Sequence, residues 1–272
     1  MSNNVFVVDT SKCQGCRACQ VACKQWNGLP AEQTSFFAGP EYTNPARLSH
    51  ITWNHVVFYE ADLSDSTRPL WTIMHKKCNH CYYANCLAIC PEKAIYKKQG
   101  WVLVDQDRCI GCGACENVCI YDVPRVSGKT FVNDIGQKIV QKDKAHKCNS
   151  CMLNKREVPA CVVTCPSNAL LYGSRPSMIR YCQERVKEIK TVFPNASIYG
   201  LEEYGGLGVL TVLRDRPSKY GLPEGDDAKK INITSAESVN DIYSLLSVFT
   251  LGVPALKRTA YKIAKSIGSK EA

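Results

Sequence analysis

At 272 residues, 45% hydrophobic and 22% charged, the chain is long enough for one or two domains with cores of their own. Its formal charge of +9 comes without a basic stripe interleaved with aromatics, so nucleic-acid binding is not expected. Seventeen cysteines in a chain this long, opening MSNNVFVVD without the positive and then apolar stretch of a signal peptide, are not expected to build a disulfide framework.

In chain order, residues 5–9 predict a short strand that enters a first cysteine group, Cys13, Cys16, Cys19 and Cys23. Residues 25–77 form an insertion, polar and rich in Gly, Pro and Asn as far as Leu48. Strands follow at 51–61 and 71–74, from their β-branched and aromatic content. The second group is Cys78, Cys81, Cys86 and Cys90, closed by Pro91. Strands at 94–96 and 101–104 around Gly100 read as a hairpin leading to the third group, Cys109, Cys112, Cys115 and Cys119. A second hairpin is expected from 130–132 and 138–140, with its turn at 133–136. The fourth group, Cys148, Cys151, Cys161 and Cys165, ends at Pro166 and runs into a strand at 170–172.

Beyond it, Pro176 opens a helix expected over 178–192, with Met178, Ile179, Cys182, Val186 and Ile189 on one face. Cys182 reads there as a small buried hydrophobe. A strand is expected at 209–213, then a loop or extended arm at 215–227. Residues 245–256 are apolar but too short to span a bilayer, and Pro254 interrupts them. After them Leu256, Ala260, Tyr261, Ile263, Ala264 and Ile267 share one helical face, with Lys257, Arg258, Lys262 and Lys265 elsewhere. Such a basic amphipathic helix is expected to dock on a partner or lie on a membrane, the remaining alternative being a loose tail.

The four groups repeat in the order A-B-A-B. VVDTSKCQGCRACQVAC matches LVDQDRCIGCGACENVC, and the second and fourth groups, each ending Cys-Pro, match each other. Three cysteines at C-x2-C-x2-C let one tight loop cover three corners of a cubane, and a remote, Pro-terminated run supplies the fourth. Structural zinc instead needs pairs converging from two places, and a Rieske centre needs two His. The pattern therefore predicts 4Fe-4S clusters, with 78–119 as one complete two-cluster ferredoxin unit. Pairing of the first with the second group and the third with the fourth would give beads on a string. The hairpin between the second and third groups, against the long insertion after Cys23, favours nesting instead. Four clusters of about −2 each would bring the +9 down to about +1.

A basic residue precedes each group: Lys12, Lys77, Arg108 and Lys147. Positive charge there is expected to favour the reduced cluster. His80 and His146 are expected as supporting or surface residues. No phosphate loop, nucleophile elbow or zinc-protease motif is present, so the chain is expected to carry electrons and not to be an enzyme on its own.

Over its whole length the chain resembles the four-cluster iron–sulfur subunits of the dimethyl-sulfoxide-reductase superfamily, and within it the beta subunits of formate dehydrogenase. The residues that carry this run from Val8-Asp9 to Cys23-Lys24-Gln25-Trp26-Asn27 and Leu29-Pro30-Ala31-Glu32. Tyr121-Asp122-Val123-Pro124-Arg125, Pro159-Ala160-Cys161 and Thr164-Cys165-Pro166 complete them. The resemblance implies an α+β fold of two nested bacterial-ferredoxin-like modules with a β insertion and a C-terminal extension. The outer module would be 1–24 with 141–175, the inner 78–140, the insertion 25–77 and the extension 176–272. It implies four cluster sets: Cys13, Cys16, Cys19 and Cys165; Cys148, Cys151, Cys161 and Cys23; Cys78, Cys81, Cys86 and Cys119; Cys109, Cys112, Cys115 and Cys90. It further implies a molybdenum- or tungsten-pterin catalytic subunit as partner, and as acceptor a cytochrome, a membrane quinone-linked subunit or a soluble redox protein. Co-export with the catalytic subunit would place the chain outside the cytoplasm, free or associated with the membrane, the alternative being cytoplasmic. The same role in another molybdopterin complex or a hydrogenase is the alternative function.

Overall fold

Val5, Phe6, Val7 and Val8 are all buried, so the first strand has two apolar faces and lies inside a sheet, not at its edge. The computed structural model describes residues 4–34, 42–60, 71–132, 136–153 and 156–224. Its elements in the first half are β1 (Asn4–Asp9), α1 (Ala18–Asn27), β2 (Asn54–Glu60), β3 (Trp71–Lys77), α2 (Asn85–Ala88), β4 (Ile95–Lys98), β5 (Trp101–Val104) and α3 (Ala114–Val118). β6 (Arg125–Val126), β7 (Phe131–Val132), β8 (Lys138–Val140), β9 (Ala145–His146), α4 (Ala160–Val163), β10 (Leu170–Ser174), α5 (Arg175–Ile189), β11 (Ser197–Tyr199) and β12 (Val209–Leu213) follow. This is a mixed helix-and-sheet fold with few and mostly short helices.

The largest sheet has the order β10-β1-β12-β11, with β1 antiparallel to β10 and parallel to β12. Side chains alternate across a strand, so Val5 and Val7 meet Cys182, Ile189, Leu210 and Val212 beneath α5. Phe6 and Val8 point the other way, into a core with Trp101, Leu103, Leu170, Cys19 and Cys161. α5 is tied to β1 by the buried Asp9 carboxylate, which accepts from Arg185 Nε at 3.1 Å and Tyr181 OH at 2.9 Å. Ser11 donates to the other oxygen from N at 2.9 Å and from Oγ.

β4 and β5 form the expected hairpin, Ile95 opposite Val104. The strand that follows the second cysteine group thus pairs antiparallel with the strand before the third. In the same way β10, after the fourth group, pairs antiparallel with β1, before the first. β2 and β3 make a hairpin of their own in the insertion, Val57 opposite Met74.

The expected helix 178–192 lies three residues earlier, at 175–189. Pro176 occupies its first turn, where a missing N–H costs nothing, and Pro194 follows the turn at its end. The strand expected at 51–61 begins at Asn54, because Ser49 Oγ accepts the N–H groups of Ile51 and Thr52 and turns that segment. Residue 61 lies outside the described residues, as do residues 133–135 of the expected turn and the whole tail expected to form an amphipathic helix. In the expected arm at 215–227, Pro217–Tyr220 make a 3-10 turn that buries Tyr220, and 225–227 lie outside the described residues. Among the described residues no helix is long and apolar enough to cross a membrane.

Candidate metal centres

The C-x2-C-x2-C groups sit on loops that only glycine allows. Gly111 has φ +64, and a Cβ there would stand 2.1 Å from the Asp143 carbonyl oxygen. Gly15, at φ +69, would place a Cβ 2.6 Å from the Phe58 ring. Each loop runs into a helix, α1 or α3, which carries the third cysteine in its first turn. Cys23 lies one turn after Cys19 on the same buried face. Cys86 rides on α2 and Cys161 on α4. Periodicity could not reveal α2, α3 and α4, since each is five residues or shorter.

Cysteines remote in sequence meet in these cores. Cys19 packs with Cys161 and Cys165, and Cys23 with Cys148. Cys78 packs with Cys81 and Cys119, and Cys86 and Cys90 with Cys109 and Cys115. Burial pushes the Cys161 thiol up to about 12, with Cys148 and Cys151 adding to it and the Lys77 ammonium the largest opposing influence. Cys119 goes up to about 11, mainly by burial and in part by Cys78. Cys13 is raised by burial and then by Cys165 and Cys16, against a Gly15 N–H bond; Cys23 by burial and then by Cys148, Cys161 and Cys151. Such crowded buried thiols ionise only beside a positive core, which reverses the local charge balance.

The residues fit a cubane. Cys90, Cys109, Cys112 and Cys115 line one partly open pocket, otherwise walled by groups such as Ile95, Val126 and Ala145. Among the described residues no three His, Cys, Asp or Glu side chains gather tightly enough for a single metal ion. N–H donors already face the sulfurs: Ala94 to Cys90 Sγ at 3.2 Å, Ala145 to Cys109 Sγ at 3.3 Å and Ser150 to Cys148 Sγ at 3.4 Å. Among the described residues the buried Lys77 Nζ has no hydrogen-bond partner, which points to an anion beside it.

The four basic residues do not act alike. Lys77 and Lys147 are buried, at 2% and 5% exposure. Arg108 is exposed, and Lys12 donates to Tyr181 OH at 3.0 Å. Proximity in sequence to a cysteine therefore does not decide proximity in space. Arg214 was not legible as a site residue, yet its guanidinium, from the end of β12, lowers the Cys13 thiol against burial. Asn27, in the CKQWN stretch, donates to Cys23 O at 2.9 Å and Sγ at 3.6 Å. Gln20 Oε1 accepts Val56 N–H at 2.8 Å and fixes α1 against β2. His80 is buried and supports the site: Nδ1 accepts Val102 N–H at 3.2 Å, Nε2 lies 3.0 Å from Ser150 Oγ, and burial keeps the ring neutral. His146 is also buried, stacked on Trp53.

Residues 69–175 match the 4Fe-4S dicluster domain family and residues 10–26 the 4Fe-4S binding domain family. The chain is 32% identical to the formate dehydrogenase iron-sulfur subunit of Haemophilus influenzae, over 94% of this chain and 78% of that protein. It is 34% identical to the formate dehydrogenase-O iron-sulfur subunit of Escherichia coli, over 81% and 71%. With formate dehydrogenase 2 subunit beta (cytochrome c-553) of Nitratidesulfovibrio vulgaris it shares 27% identity, over 79% of this chain and 95% of that one.

Proposed function

The chain belongs to the family of formate dehydrogenase iron–sulfur subunits, and we propose that it relays electrons through four 4Fe-4S clusters held in two nested modules. The sets are Cys13, Cys16, Cys19 with Cys165; Cys148, Cys151, Cys161 with Cys23; Cys78, Cys81, Cys86 with Cys119; and Cys109, Cys112, Cys115 with Cys90. The observation that carries this is the matched strand pairing. β10 returns to β1 as β4 returns to β5, and this supports pairing the first group with the fourth and the second with the third.

When bound, such clusters accept and release one electron each at potentials that the surrounding charge and hydrogen bonds set. The protein's part is to exclude water with the apolar cores around each set, to aim N–H groups at the sulfurs and to place cations nearby. Outside this chain, a molybdenum- or tungsten-pterin catalytic subunit would oxidise formate to CO2, one proton and two electrons. A cytochrome, a quinone-linked membrane subunit or a soluble redox protein would take the electrons up. We place the chain outside the cytoplasm, exported with the catalytic subunit.

Metal analysis of the anaerobically purified complex tests the reading. About sixteen iron and as much acid-labile sulfide per chain is expected. About four zinc and no EPR signal after reduction would overturn it.

A further inference from the structure

Lys77 and Lys147 each stand one residue before a cysteine group, the second and the fourth, yet each reaches the core of the other. Lys77 Nζ lies 3.3 Å from the centre of the Phe6 ring. Phe6 belongs to the core that holds Cys19, Cys161 and Cys165. Lys147 Nζ donates to the Val102 carbonyl and, at 3.1 Å, to that of Cys148. Val102 belongs to the core that holds Cys86, Cys90, Cys109 and Cys115. No carboxylate pairs with either ammonium among the described residues. Between them lie Trp101, buried in contact with Phe6, and His80, which bridges Val102 and Ser150. Two buried cations without a carboxylate are costly unless another anion faces them.

We propose that the two lysines are crossed: Lys77 sets the charge beside the cysteines of the first and fourth groups that share its core, Cys161 among them, and Lys147 beside those of the second and third groups that share its core, Cys86 among them. The assignment rests on the cluster sets given above. An ammonium beside a cluster favours its reduced, more negative form, so each lysine raises the potential of the site across the seam. The arrangement makes the tuning of each site depend on a residue that precedes the other group.

EPR-monitored redox titration of the whole complex decides it, with the signals assigned by Cys161→Ser for one cluster and Cys86→Ser for the other. Lys77→Met should lower the midpoint of the Cys161-assigned signal by the equivalent of about a tenfold change in its reduction equilibrium, about 59 mV for one electron. It should leave the Cys86-assigned signal in place, and Lys147→Met should do the reverse. Lys77→Arg and Lys147→Arg, which keep the charge, should restore both midpoints. Where a variant loses a cluster in place of shifting it, loss of the Cys161-assigned cluster from Lys77→Met supports crossing. Shifts or losses at the cluster of the lysine's own group, or no shift at either, would overturn it. Wild-type complex lacking iron would instead sink the cluster reading itself, so the two failures are distinguishable.

Discussion

At the scale of single residues, the site depends on backbone conformations as much as on sulfur. Gly111→Ala would force a methyl into the Asp143 carbonyl at a positive φ, so the loop from 109 to 115 must move. The expected outcome is selective loss of about four of sixteen irons, measured with the remaining EPR signals intact. Cys165→Ser separates nested from sequential pairing. It should damage the cluster on the loop of Cys13, Cys16 and Cys19 and spare the central pair, and loss of a central-pair signal alone would favour beads on a string. The cysteine positions were legible because ligand chemistry demands a fixed residue at a fixed spacing. Arg214 and Asn27 were not, because any donor of suitable reach can supply charge or an N–H, and only folding says which one arrives.

At the scale of elements, the β2–β3 hairpin carries two buried imidazoles. Burial, helped by Lys77, lowers His75 to about 3; burial, despite a bond to the Pro45 carbonyl, lowers His55 to about 4. The folded form resists protons that the unfolded chain takes up below about pH 6.5, so stability falls as pH drops from there. For His75 alone the loss between pH 7 and pH 5 is about 2 kcal/mol. His75→Phe should therefore narrow the gap between urea midpoints at the two pH values, and an unchanged gap would remove His75 as its source. α5 offers a second test. Arg185→Ala takes a charged donor from the fully buried Asp9 and should cost about 1.5–3 kcal/mol. The same variant should leave the EPR signals of the clusters unchanged. α5 and the paired strands were legible from periodicity and β-branched content, whereas the one-turn helices at the cysteine groups are too short to repeat.

At the scale of the whole molecule, residues 176–224 of the C-terminal extension are continuous with the rest of the fold. β12 lies beside β1, and its end brings Arg214 to the first loop. Truncation before Val209 should therefore expose Phe6 and Val8 and cost the cluster nearest Cys13, read as lost iron and a lost EPR signal. By itself the sequence determined α5, the main strands and the repeat of cysteine groups, since strand content, helical period and cysteine spacing are local properties of the chain. Which of four flanking cations are buried and which N–H groups face which sulfur were decided by the tertiary structure alone. Those outcomes depend on how a sheet centred on β1 brings together segments as many as two hundred residues apart, and no local pattern encodes that distance.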